Sequence, residues 1–213
     1  PIIGVRSYGD TPATVAKYAA GMIRGLQDGG VLCLAKHFPG HGDTSLDSHL
    51  TLPCVDKPRD ELERMELAPF RAAIADGVPA IMTAHILFPA LDDSGVPATM
   101  SRRIVTDLLR GELGFDGLVM TDWNSVYDMQ KLILSGQNVE MPGSWKEDIT
   151  AQELLSQGKI TEADIDAMIR PLIATCIRFG LYDRKGDEKY KPELLAKLPE
   201  HEAAAYRTSS EGI

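Results

Sequence analysis

Short apolar runs alternate with longer amphipathic stretches through the first two thirds of the chain. Residues 31–36 (Val-Leu-Cys-Leu-Ala-Lys), 80–85 (Ala-Ile-Met-Thr-Ala-His) and 117–122 (Gly-Leu-Val-Met-Thr-Asp) have the length and aliphatic character of buried strands. Residues 139–141, just before Pro142, read as a shorter fourth. Helical signals lie between them. Thr11-Pro12 pairs a capping hydroxyl with proline at the first helical position and opens a helix to Gln27, which Asp28-Gly29-Gly30 ends. A charged amphipathic segment over 59–75 closes at Asp76-Gly77, and Ser101 caps a helix through Leu113 that Gly114 closes. Further on, a helix is predicted near 145–157. Thr161 and Asp164 form a capping pair for a long helix to Phe179, stopped by Gly180.

Strand, loop and helix in alternation, with near-continuous apolar strands, predict parallel pairing covered on both faces, as in an α/β barrel or an open doubly wound sheet. A complete eight-fold barrel takes about 250 residues, so a chain of 213 with these strands reads as half a barrel. Residues 183–198 are rich in Lys, Asp and Glu without periodicity and read as a surface linker or wrap. The domain division is therefore 1–182 for the α/β body and 183–213 for a linker.

Composition narrows the partners. The net charge is −9 and the pI near 5.0, with no stripe of Lys or Arg, which argues against nucleic acid. No apolar stretch reaches the roughly 20 residues that cross a bilayer, so no membrane partner is expected. The three cysteines, Cys33, Cys54 and Cys176, suggest neither a disulfide framework nor a zinc cluster. A small or neutral ligand fits best.

The chemistry concentrates where strands end. Residues 36–49 (Lys-His-Phe-Pro-Gly-His-Gly-Asp-Thr-Ser-Leu-Asp-Ser-His) hold three of the five histidines directly after the first strand, on a loop broken by Pro39-Gly40. Lys36 and His37, then His85, then Asp122 close successive strands, and in parallel α/β folds such residues converge on a ligand. Asp122, ending an apolar run, would be costly to bury without a role or a partner. In Asp47-Ser48-His49, residues two apart face one side if the segment is extended, so the carboxylate can orient the imidazole for general acid/base work. A loop-stabilising Asp-His hydrogen bond is the plainer alternative. A metal site of His37, His41, Asp43 and His49 is disfavoured because the Pro-Gly break denies His37 and His41 a shared helix face, so no metal and no cofactor are expected. Lys36 and His37 suit sugar hydroxyls. Cys33, Met82 and Met120 read as core side chains facing helices, although Met82 at its strand end is also a candidate to line the ligand.

The motif over 36–49 resembles the signature of glycoside hydrolase family 3, in particular its β-N-acetylglucosaminidase branch. Residues 3–9 (Ile-Gly-Val-Arg-Ser-Tyr-Gly), 81–85 (Ile-Met-Thr-Ala-His) and 114–122 (Gly-Phe-Asp-Gly-Leu-Val-Met-Thr-Asp) agree with it. The resemblance implies a partial (β/α)8 TIM-like barrel, about its C-terminal half, followed by helices and a linker toward an absent second domain. It implies retaining hydrolysis of terminal β-linked N-acetylglucosamine with Asp122 as nucleophile and His49, oriented by Asp47, as acid/base. Arg6, Lys36 and His37 match positions that bind the sugar, with Met82 and His85 beside them. After Asp122, however, Trp123-Asn124-Ser125-Val126 and residues 139–142 are similar to the β-glucosidase branch, so β-glucosidase or β-xylosidase activity is the alternative. Family members carry further barrel strands upstream, so the expectation is a fragment with little activity alone. The alternative from a different class is a sugar-binding or assembly piece, either because its missing strands come from a second chain or because it is a truncated remnant.

Overall fold

The computed structural model describes residues 2–48, 50–143, 149–183 and 192–211. Four parallel strands, β1 (Leu34–Phe38), β2 (Ala80–Thr83), β3 (Leu118–Trp123) and β4 (Val139–Met141), lie side by side in chain order. Each successive strand is reached through a helical crossover, as the alternating pattern required. The helices are α1 (Pro12–Asp28), α2 (Arg59–Arg64), α3 (Leu67–Ala75), α4 (Met129–Ser135), α5 (Ala151–Ser156), α6 (Glu162–Arg178) and α7 (Leu198–Glu211), with a π-helical segment at Arg103–Glu112 before β3. The result is the α/β fold expected, a partial barrel. Residues 1–175 and 176–213 form two separate compact bodies.

Local chemistry explains where elements begin and end. Thr11 accepts from the Thr14 N–H at the start of α1, with Pro12 in the first turn. At the other end Gly30 takes a positive φ while its N–H reaches the Gln27 carbonyl and Val31 N–H reaches Leu26. Val31 is thereby spent on closing the helix, and β1 starts at Leu34 rather than 31. The predicted segment 59–75 is two helices, because Pro69 has no N–H to offer the Met65 carbonyl and the chain breaks there. Helix α4, which the apolar pattern did not predict, is capped by Asp128 and ended by Gly136 at φ 92°. Thr161 and Asp164 cap α6 reciprocally, as expected. The helix expected near 145–157 covers Ala151–Ser156, and residues 144–148 lie outside those described. Much of 183–213, expected as linker, is helical in α7.

Alternation along the strands sorts the side chains. Ala35, Ile81 and Val119 share one register level and turn to the helices, joining a core with Phe38, Leu62, Leu67, Phe70, Ile104 and Leu109. Cys33 packs against this core as expected. Lys36, Met82 and Met120 occupy the next level and turn the other way, as do Leu34 and Leu118. Met82 and Met120 are only partly buried there, so they face the inner side of the partial barrel and not the helices as the core reading had it. Leu34 and Lys36 on edge strand β1 are exposed.

Buried polar residues tie β3 and β4 to their neighbours. Asn138 accepts from Val119 N–H and from Arg110, while Gln137 donates to the Thr83 hydroxyl at 2.6 Å and the Thr99 carbonyl at 2.9 Å. Through these bonds the two amides brace the sheet, although the Gln137 Oε1 is buried without a hydrogen-bond partner among the described residues.

Candidate functional site

Two strand ends meet at one edge of the sheet. Asp122, next to last in β3, is 4% exposed, and His37, next to last in β1, is similarly buried. Each lies within a shift in strand register, between Lys36 and Phe38 on β1 and between Met120 and Trp123 on β3. The His37 Nε2 lies 3.9 Å from the Asp122 Oδ2, beyond hydrogen-bond length but within electrostatic reach. The other carboxylate oxygen, Oδ1, accepts from the Trp123 N–H at 2.7 Å, and Ser125 Oγ donates to the Asp122 carbonyl at 2.7 Å. One oxygen is thus held by backbone while the other faces the imidazole.

Burial pushes the His37 imidazole down to about 4. The Asp122 carboxylate pulls it the other way, and Lys36, His41 and Arg6 push it further down. His37 is therefore neutral at neutral pH, and its approach to Asp122 is that of a polar neighbour rather than an ion pair. Arg6 and Lys36 are exposed, and they influence His37 through their charge. His85 follows β2 in a loop rather than ending the strand.

The loop after β1 owes its shape to side chains. His41, 6% exposed, stacks edge-on against His37 with ring centres 5.0 Å apart. Its Nδ1 lies 2.6 Å from the Thr44 Oγ1 and its Nε2 3.1 Å from the Ser48 Oγ. Thr44 spends its single hydroxyl proton on the His41 carbonyl at 2.9 Å, which makes Nδ1 the donor in the ring's contact with Thr44. His85 Nδ1 donates to the Ser48 carbonyl at 3.1 Å. The Asp47 carbonyl accepts from the Leu50 and Thr51 N–H groups and from Thr51 Oγ1, closing a turn. His49 lies outside the described residues.

Farther along the same loop, Lys57 reaches three carboxylates: Glu66 at 2.7 Å, Asp43 at 2.9 Å and Glu61 at 3.3 Å. Burial alone would lower this ammonium, but the hydrogen bonds to Glu66 and Asp43 outweigh it and raise the pKa. Gly40 lies so close to Glu66 that a Cβ would come within 2.5 Å of its Cγ. The return leg pairs with the segment after β2, Val55 N–H to the Leu87 carbonyl and Leu87 N–H to the Pro53 carbonyl.

Of the residues singled out from sequence, the structure brings His37 and Asp122 together, sets Asp47 beside the pinned Ser48, and commits the His85 Nδ1 to the loop. Asp43 and His41, named as metal candidates, are engaged by Lys57 and by Thr44 and Ser48 respectively. Among the described residues, no three His, Cys, Asp or Glu side chains are grouped to hold a metal, and no helix is long and apolar enough to cross a membrane. Ser48 and Lys57 were not anticipated. Their signal was faint, a serine between an aspartate and a histidine and a lysine beside a proline.

The chain has counterparts among known proteins. The sequence profile of the Glycosyl hydrolase family 3 N terminal domain matches residues 1–174. Beta-hexosaminidase A of Pseudoalteromonas piscicida is 47% identical over 57% of this chain and 22% of its own length. The solved glycoside hydrolase family 3 β-N-acetylglucosaminidase from Paenibacillus sp. str. FPU-7 superposes with a TM-score of 0.77 at 39% identity, covering 90% of this chain and 39% of that one. The β-glucosidase D2-BGL from Chaetomella raphigera gives 0.69 at 26% identity, covering 80% of this chain and 24% of that one. The chain thus spans well under half the length of these relatives.

Proposed function

The chain belongs to glycosyl hydrolase family 3, and from that premise we propose that it serves the removal of terminal β-linked N-acetylglucosamine from cell-wall or chitin-derived saccharides, with retention at the anomeric carbon. The observation that carries this reading is Asp122: a buried carboxylate at the end of β3, one oxygen held by the Trp123 N–H and the other facing a neutral His37. The names of the hexosaminidase relatives support the acetamido sugar.

In the proposed reaction the Asp122 Oδ2 forms a bond to the anomeric carbon as the glycosidic bond breaks. The leaving oxygen takes a proton from His49, which Asp47 orients. His49 then removes a proton from water, the water oxygen bonds to the anomeric carbon, and the Asp122 carboxylate is released. A neutral His37 leaves the charge of the attacking carboxylate uncancelled and offers a hydrogen-bonding edge to a sugar hydroxyl. Arg6 and Lys36 bind further hydroxyls, with Met82 and His85 at the margin of the sugar. Residues 1–182 form the catalytic body, and 183–213 lead toward a second domain.

One observation favours a second reading. Trp123, directly after the nucleophile, is 48% exposed, and a solved β-glucosidase shares the fold. Its exposed ring suits a glucoside or xyloside reading, in which an acid from elsewhere would replace His49. Hydrolysis of p-nitrophenyl β-N-acetylglucosaminide against the β-glucoside, with Asp122→Ala and His49→Ala, tests both. The first reading expects faster turnover of the acetamido substrate and loss in both variants. Full activity in His49→Ala with loss in Asp122→Ala sinks the dyad and favours the glucosidase.

A further inference from the structure

Resting on the reading of Asp122 as nucleophile, we propose that Thr121 and Ser125 are positioning residues, whose two hydroxyls hold a bulge in β3 and so aim the Asp122 carboxylate. From Met120 to Trp123 the strand advances three residues while its partner β4 advances two, from Val139 to Met141. The extra residue lies at 121–122. A bulge of this kind re-aims a side chain and leaves ladder groups in need of other partners.

Side chains and the following turn supply those partners. The Met141 N–H donates to the Thr121 Oγ1 at 2.8 Å, so a hydroxyl stands in the ladder on β3. The Asp122 carbonyl accepts from the Ser125 Oγ at 2.7 Å. Between them the Asn124 N–H donates to the Met141 carbonyl at 3.0 Å, with Asn124 at φ 53° in the left-handed region that asparagine tolerates. Thr121 and Ser125 are both 0% exposed, so bulk water does not compete for either hydroxyl.

A peptide unit is planar, so a bond to the Asp122 carbonyl also fixes the Trp123 N–H on the opposite side of that unit. This N–H is the donor that reaches the Asp122 Oδ1 at 2.7 Å. Ser125 thus acts on the carboxylate through one rigid peptide, and Thr121 acts through the partner strand. The carboxylate plane is set with Oδ2 on the side of His37. A nucleophile that must meet one carbon gains from this, because about 1 Å of misplacement can cost about a hundredfold in rate.

The test uses the full-length protein and a β-glucosyl fluoride with a second fluorine at C5, in 2-acetamido and 2-hydroxyl forms. A bond forms from Asp122 Oδ2 to the anomeric carbon as the C–F bond breaks, and fluoride leaves with its electron pair without needing a proton. Peptide mass spectrometry then locates the adduct. Thr121→Val keeps the side-chain shape without the hydroxyl, Thr121→Ser keeps the hydroxyl, and Ser125→Ala removes it. At saturating probe, Thr121→Val and Ser125→Ala are expected to form the adduct at least about tenfold more slowly than the unmutated protein, with Thr121→Ser close to it. Affinity for the free sugar, measured by calorimetry, is expected to stay within about twofold in all three, which a general loss of structure would not allow. If Ser125→Ala does not fold, Ser125→Cys, which retains a weaker donor, is expected to fall between the two rates. Undiminished labelling in Thr121→Val and in the Ser125 variant overturns the proposal while sparing the nucleophile. So does a Thr121→Ser variant no faster than Thr121→Val, or a sugar affinity that falls in step with the rate. An adduct away from Asp122, or none with either probe, refutes the nucleophile and the aiming role with it.

Discussion

The chain leaves β1 and β3 by opposite means. After β3 it turns at once: Trp123 N–H and Ser125 Oγ close back on Asp122, and Asp128 already caps α4. After β1, the described residues of 39–58 form no helix or strand and are held by His41, Thr44, Ser48, Lys57 and the bridge to Leu87. The proposed nucleophile therefore inherits its place from the sheet, whereas Asp47 sits on a loop shaped by a few polar contacts. A hydrophobic core change should be felt first at Asp122, and a polar change on the loop should be felt first at Asp47.

Asp122→Asn should break the β3 side most sharply. It keeps an acceptor for the Trp123 N–H but removes the attacking charge, so kcat should fall at least about a thousandfold with little change in the melting temperature. A parallel loss of folding would show that the carboxylate is structural. The next effect is on pH. The unfolded chain binds a proton at His37 near 6.5 and the folded chain only near 4, so stability that is complete above pH 6.5 is lost as pH falls toward 4. That loss should amount to about 2–3 kcal/mol by denaturant titration, and His37→Gln should flatten it over the same window.

Lys57→Met probes the loop side. It leaves Asp43, Glu61 and Glu66 facing one another without their cation, and a cost of about 1–2 kcal/mol is expected, partly restored by salt. An unchanged melting curve would mean that the loop is held without this anchor. Arg64→Ala is the smallest change. Arg64 and Asp60 form an exposed pair one helical turn apart on α2, so less than about 0.5 kcal/mol should be lost.

The strands carrying Ile81 and Val119 were legible because aliphatic runs bounded by turns leave little choice. Asp122 stood out for the same reason, as a charge ending an apolar run. Val31 misled because its apolar side chain looks like strand, while its N–H is taken by the end of α1. Met82 and Met120 misled because a continuous apolar run does not reveal which face meets helices. The division of 59–75 turned on the missing N–H of Pro69. Within the loop, Pro39-Gly40 announced a turn and the histidines announced chemistry. That Ser48 is gripped by residues on two different segments depends on tertiary contacts that spacing does not encode.

The row of hydrogen bonds through His41 has a direction. Ser48 meets one ring nitrogen, the other ring nitrogen gives a proton to Thr44, and Thr44 gives its own to a carbonyl that has none to return. A row ending on a pure acceptor has no mirror-image arrangement of equal energy. The row is therefore anchored at its Thr44 end, where the His41 carbonyl can only accept.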